Sequence, residues 1–298
     1  NVVAVPKAVV RKKRFEMKQK VLKAFNVETE SMDDDQLDLI DKNLDKSMIV
    51  AGCAGSGKSV IAMYKAQQIL DAKGDVILIA FTKSLNRYMQ QGKENTLGGR
   101  FYYHWQWLKQ GMPKADYIIV DEIQDFDEGE IVQFVHAARK CFFFFGDTAQ
   151  SIYKTFGKQT MTIDQIASMT GVNVSRLYNN YRLPKPVAKI TQEYLGLTEN
   201  NDEVREYSDS LYFSKEKVLP VFINCDSKQS QINHIISIIT DNKYRNVGIL
   251  VPENDLVLEL MTALTTAKFA CEFKYNAGYN DSKNRDTLNF KTEYPKLM

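Results

Sequence analysis

The sequence predicts an α/β protein, with a parallel sheet flanked by helices and then a second, smaller α/β domain. Three observations predict it. Apolar runs at 48–51, 76–81, 117–120 and 141–145 are short and near-continuous rather than alternating, as in strands buried on both faces of a parallel sheet. Helical patterns at 58–72, 83–91 and 129–139 separate them, and that alternation builds an open α/β sheet. The rhythm restarts after residue 180, with strands expected at 218–223, 247–251 and 270–274 and helices at 184–195, 227–240 and 254–267.

Composition bounds the reading. In 298 residues, 44% are apolar and 26% charged, enough for one or two real cores. The 39 basic and 37 acidic side chains leave a net charge of +2, so partners must be recognised by local patches. The four cysteines, Cys53, Cys141, Cys225 and Cys271, form no CxxC pair. That argues against a disulfide framework or zinc ribbon and points to a reducing compartment, the cytoplasm. No apolar run approaches the length of a membrane span, so no membrane partner is expected. The chain opens on Asn1 rather than Met, as a fragment would.

Residues 1–30 read as a basic helical segment; the charge run at 11–20 is either a solvated helix or a partner-binding arm. Residues 33–45 place Leu37, Ile40 and Leu44 at helical spacing, with acidic residues in the first turn, where the helix dipole favours them. The polar stretch 198–210 reads as a surface loop.

The chemistry begins after the first expected strand. Gly52-Cys-Ala54-Gly55-Ser56-Gly57-Lys58-Ser59 fits G-x-x-x-x-G-K-[ST] between a strand and a helix, the phosphate loop of P-loop nucleotide hydrolases. Its glycines let backbone N–H groups face a phosphate at a helix N-terminus. Lys58 would reach the β- and γ-phosphates, and Ser59 would ligate Mg²⁺. A second strand ends in Tyr117-Ile-Ile-Val-Asp121-Glu122. Asp121 would hold Mg²⁺, and Glu122 would orient and deprotonate water.

Asp121-Glu-Ile-Gln-Asp125 and Gly146-Asp-Thr-Ala-Gln150-Ser-Ile-Tyr153 resemble motifs II and III of superfamily 1 helicases of the UvrD/Rep type. Gln36, 22 residues before Lys58, is similar to that family's Q motif. Ile79-Ala-Phe-Thr-Lys-Ser84 is similar to motif Ia, Tyr102-Tyr-His104 more loosely to Ib, and Leu177-Tyr-Asn-Asn-Tyr181-Arg182 to motif IV. Val247-Gly-Ile-Leu-Val-Pro252 resembles a strand of the second RecA-like domain. The resemblance covers roughly 31–298 and implies a RecA-like ATPase domain at 31–178, then a partial RecA-like domain at 179–298.

It also implies roles. Gln36 would read adenine and Tyr181 stack on it. Gln150 would sense the γ-phosphate, and Arg182, opening the second domain, would act as an arginine finger. Phe81, Thr82, Lys83, His104 and Tyr153 would touch single-stranded DNA, through stacking and phosphate contacts that tolerate any sequence. RNA stays an alternative strand, since no residue here distinguishes the sugars. The implied activity is a Mg-ATP-driven helicase or translocase; the alternative is a nucleotide-gated regulatory module on the same scaffold.

Three departures from the family qualify this. Residues 92–112 leave no room for a large 1B insertion, and Trp105 and Trp107 within them are candidates simply to pack a helix. Thr155, followed by Phe156, stands where the family commonly has a stacking tryptophan. The sequence ends at Met298, before motifs V and VI, so weak hydrolysis by this chain alone is expected.

Overall fold

The computed structural model describes residues 32–90, 97–147, 151, 157–182, 184, 186, 187, 190, 219–241, 247–276, 282–288 and 294–298. The basic segment 1–30, the loop 198–210, most of the helix expected at 184–195, and Gln150, Tyr153, Thr155 and Phe156 lie outside the described residues. Two compact units divide the chain, Asn1–Pro220 and Val221–Met298. The sequence boundary at 178/179 falls inside the first.

The first unit opens with α1 (Asp34–Asp41), capped by Asp33 in a reciprocal box with Gln36. The Asp33 carboxylate accepts from the Gln36 N–H, while the Gln36 side chain accepts from the Asp33 N–H. Such a box satisfies donors that a helix start otherwise leaves open. At the other end, the fully buried Lys65 ammonium donates to Ile40 O at 2.8 Å and Lys42 O at 2.5 Å. Burial pulls the Lys65 ammonium down to about 8.

Six strands form one parallel sheet: β1 (Met48–Gly52), β2 (Val76–Ala80), β3 (Phe101–Tyr103), β4 (Ala115–Asp121), β5 (Ala138–Gly146) and β6 (Val174–Leu177), in the order β3-β2-β4-β5-β1-β6. The fold is α/β and RecA-like. Pleating sends successive side chains to opposite faces, and the run of phenylalanines in β5 divides accordingly. Phe143 and Phe145 join the core under α2 (Lys58–Asp71) with Val50, Ile61, Ile69 and Leu78. Phe142 and Phe144 join the opposite core with Trp107, Phe126, Phe134 and Ile163. Those residues come from α4 (His104–Lys109), α5 (Glu128–Ala137), α6 (Ile163–Thr170) and the 3₁₀ turn after β4. A short α3 (Lys83–Met89) follows β2, with Thr82 as its N-cap. Trp107 is fully buried and Trp105 half-exposed, so only the former packs the core.

Register explains where chemistry can occur. Ala51 pairs with Gly146, and Asp121 with Phe145. The C-terminal ends of β1, β5 and β4 therefore lie side by side, at the sheet edge where open α/β folds bind ligands.

In the second unit, α7 (Lys228–Asp241) and α8 (Asn254–Thr266) pack Ile232, Ile239, Val257, Leu260 and Leu264 against Ile249 and Leu297. Its sheet has the order β7 (Gly248–Ile249), β10 (Lys296–Leu297), β8 (Glu272–Tyr275) and β9 (Arg285–Asp286); β9 alone is antiparallel to its neighbour. The strand expected at 218–223 is not formed over its described residues. Leu219, Val221 and Phe222 are 70–77% exposed there. No strand among the described residues pairs with them, and β-propensity counts only beside such a neighbour.

Candidate functional site

The phosphate loop runs from the end of β1 into α2. Gly57 is the N-cap, at φ 91°, and no side chain caps the helix. The first helical N–H groups are thus left for an anion. An added Cβ on Gly57 would lie 2.5 Å from Gln36 Nε2, so both dihedral and space demand glycine there. Lys58 is buried, its ammonium donating to Gly52 O at 2.6 Å and Cys53 O at 3.1 Å. A triphosphate in the loop would compete with those carbonyls. The Ser56 hydroxyl is buried without a hydrogen-bond partner among the described residues.

Gln36 is 4% exposed and donates through Nε2 to Ser56 O at 2.7 Å. Tyr181 and its neighbours close on the same loop. Asn180 Nδ2 donates to Ala54 O at 2.5 Å, and the Tyr181 N–H to Gly55 O at 3.0 Å. The Tyr181 hydroxyl and Asn179 Nδ2 both donate to Asp33 Oδ2, at 2.5 and 2.6 Å. Burial and the Asp33 carboxylate push the Tyr181 phenol up. Arg182, expected to open the second domain, belongs to the first unit. It is exposed, with its Cβ 2.7 Å from where a Gly55 Cβ would stand.

At the end of β4, Asp121 is fully buried. Burial first, then the charge of Glu122, pushes its carboxyl up to about 7, opposed by the Ser59 hydroxyl and Lys58. Among the described residues its Oδ2 nevertheless makes no hydrogen bond of normal geometry. An orphaned carboxylate oxygen beside a serine hydroxyl fits Mg²⁺, which takes one or two protein ligands and keeps phosphates and waters for the rest. Among the described residues no group of three acidic, histidine or cysteine side chains could hold a metal; a phosphate-bound Mg²⁺ needs none.

Glu122 adopts a left-handed conformation, φ 58° and ψ 47°, which costs a non-glycine residue about 1–2 kcal/mol. Its N–H donates to Asp121 Oδ1 at 3.1 Å, and its Oε2 accepts from Gln124 Nε2 at 2.8 Å. Gln124, 1% exposed, also accepts the Asp147 N–H at 2.9 Å. One amide therefore ties Glu122 to the end of β5. Asp125 is likewise pushed up to about 7, by burial and then by Glu122.

The expected strand-contact residues divide. Lys83 is exposed, while Phe81 and Thr82 are half-buried. Phe81 meets Phe126 edge-on at 5.0 Å, with the Lys158 ammonium 5.4 Å from its ring centroid. His104 is instead 4% exposed, edge-on to Phe126 and Phe134. Burial lowers its pKa, and the structure sets its ring in the core rather than on a surface track.

Several contributors lay beyond the sequence argument: Asp33, Asn179, Asn180, Gln124 and Lys158. Gln124, Asn179 and Asn180 lie inside the quoted motifs without an assigned role, Asp33 carries the D-x-x-Q spacing of a capping box, and Lys158 carries no signal. A separate acidic cleft of about 870 Å³ at the starts of α5 and α6 is lined by Asp127, Glu128, Asp164 and Gln165 among others, none of them from the phosphate loop.

A profile of the viral superfamily 1 RNA helicase core domain matches residues 48–269. The chain belongs to that family. This helicase core therefore shares the superfamily 1 character expected from motifs I–III. No curated protein sequence matches it. Among solved structures, AMPPCP-bound DnaA from Aquifex aeolicus aligns at 14% identity and a TM-score of 0.32, covering 62% of each chain. A DNA replication initiation factor aligns at 15% and 0.30, over 80% of this chain and 62% of that one. Bacteroides sp. Pif1 with ADP-AlF4 aligns at 14% and 0.38, over 59% and 48%. The helicase core spans less than two thirds of each of those chains. The parallel sheet and its loops, not these distant likenesses, define its fold. Among the described residues, no helix is long and apolar enough to cross a membrane.

Proposed function

We propose that this helicase core hydrolyses Mg-ATP and couples hydrolysis to domain closure and movement along single-stranded nucleic acid. The observation that supports it most is the pairing of Asp121, with its orphaned Oδ2, and a left-handed Glu122 beside the phosphate loop. Lys58 and the uncapped start of α2 bind the β- and γ-phosphates. Ser59 and Asp121 hold Mg²⁺, which would neutralise charge on the phosphate oxygens. Glu122, fixed by Gln124, takes the proton of the attacking water. Arg182 stabilises charge on the transferring phosphoryl group, because phosphoryl transfer depends on positioning and electrostatics rather than covalent chemistry. Gln150 senses the γ-phosphate. Gln36 and Tyr181 hold adenine. Phe81, Thr82, Lys83 and Tyr153 carry the strand.

The UvrD/Rep-type motifs favour DNA as that strand. RNA is a second reading, favoured by the family match over residues 48–269. The test is ATP turnover with and without single-stranded DNA and RNA oligonucleotides. Stimulation by either supports a nucleic-acid motor and names its strand. Unchanged turnover with intact ATP binding refutes the motor and leaves a nucleotide-gated module.

A further inference from the structure

Asp33 joins three segments that the sequence keeps far apart. Its Oδ1 accepts the Gln36 N–H at 2.7 Å, and its own N–H donates to Gln36 Oε1 at 3.1 Å. Its Oδ2 accepts the Tyr181 hydroxyl and Asn179 Nδ2. Gln36 continues to Ser56 O, and the Tyr181 N–H to Gly55 O. A closed ring of hydrogen bonds thus runs from the start of α1 through the phosphate loop and the segment after β6, then back to Asp33.

This ring constrains what Gln36 can offer. A carboxamide has two N–H donors and two acceptor lone pairs. The Asp33 N–H takes one lone pair and Ser56 O takes one N–H, which fixes the end of the amide that carries oxygen. What remains is one acceptor and one donor. That complements the N6 amino group and N7 of adenine, and not the O6 and N7 acceptors of guanine. Tyr181 is held in the same ring by its hydroxyl.

We propose that Asp33 is the positioning residue that sets base specificity, holding the Gln36 amide and the Tyr181 ring in an adenine-selective arrangement. The inference rests on the nucleotide-hydrolase reading and deepens it. Asp33 itself touches neither phosphate nor metal in this account, so its removal is read in the base and not in the triphosphate.

The experiment measures affinities of ATP, GTP and inorganic tripolyphosphate for the wild-type chain, Asp33→Asn, Tyr181→Phe and the double variant. Asparagine caps helices as well as aspartate does, but one amide cannot both accept the Gln36 N–H and present an acceptor to Tyr181 and Asn179. Asp33→Asn should bind ATP about tenfold more weakly, as expected for loss of a hydrogen bond to a charged group. GTP and tripolyphosphate should stay within about twofold, so the ATP preference collapses. Tyr181→Phe should move the same way, and the double variant should lose little more, because both act through one contact. Should Asp33→Asn not fold, Tyr181→Phe and Asn179→Ala carry the same test. Asp33→Asn with an unchanged ATP-to-GTP ratio overturns the proposal, as does a parallel loss of tripolyphosphate, or a wild-type chain without preference for ATP. A wild-type chain that binds neither ATP nor tripolyphosphate overturns the hydrolase reading, and this inference with it.

Discussion

Replacing Gly146 with alanine tests the join between Glu122 and the end of β5. An added Cβ would stand 2.6 Å from Gln124 Oε1 and 2.8 Å from both Ile123 Cγ2 and Ile163 Cδ1. All three neighbours belong to residues no more than 1% exposed, so none can swing into solvent. Overpacking of this kind costs about 1–3 kcal/mol. Displacing Gln124 also strips the buried Asp147 N–H of its acceptor, a further ~1–3 kcal/mol. Alanine returns about 0.4–1 kcal/mol by stiffening the unfolded chain. The net loss is about 1–6 kcal/mol with a midpoint of ~3, and ~3 kcal/mol is roughly 6–12 °C in the melting temperature of a unit this size. Thermal and urea unfolding would measure it. Gln124→Ala empties the space that the new methyl group needs, so the double variant should be more stable than the sum of the singles predicts. Gly146→Ala within about 0.5 kcal/mol of wild type, the ordinary range for surface changes, or strict additivity, would refute the reasoning.

Three further outcomes follow from the same geometry. Lys58→Ala should abolish nucleotide binding, and retained affinity in a Mg-ATP titration would remove the phosphate assignment. Asp121 and Asp125 have native pKa values raised to about 7, so the native state holds more protons than the unfolded one between about pH 4 and 7 and stability falls as pH rises through that window. Buried, neutral His104 works in the opposite sense, so the comparison is with Asp125→Asn, whose melting temperature should fall less steeply from about pH 5 to pH 8; parallel slopes would contradict it. Phe81→Ala should weaken single-strand binding with ATP affinity intact, whereas unchanged strand binding would leave Phe81 as a core residue against Phe126.

Much of this was legible because its signals are local. The phosphate loop is contiguous and lies between a continuous apolar strand and a helix, and Asp121-Glu122 ends another such strand. β3 and β6 went unread for physical reasons. β3 is three residues long, and Val174-Ser-Arg-Leu177 is a half-buried edge strand without an apolar run. Helix α5 was expected to reach 139, but β5 starts at Ala138, where no glycine or proline marks the change. The exposed 219–223 segment failed in the other direction, since strand propensity cannot report whether a partner strand is present. At the site, a Tyr-Arg pair and a D-x-x-Q box are visible in the sequence. That they share one carboxylate, Asp33 to Tyr181 across 148 positions, depends on β6 lying beside β1, which no spacing reveals.

The most direct test is single-turnover hydrolysis of Mg-ATP by the wild-type chain and Glu122→Gln, with ATP affinity measured in parallel. The account predicts that both bind ATP with similar affinity and that only the wild type releases phosphate. Near-normal turnover by Glu122→Gln would remove Glu122 as the base, and with it the assignment of this strand end as the hydrolytic centre.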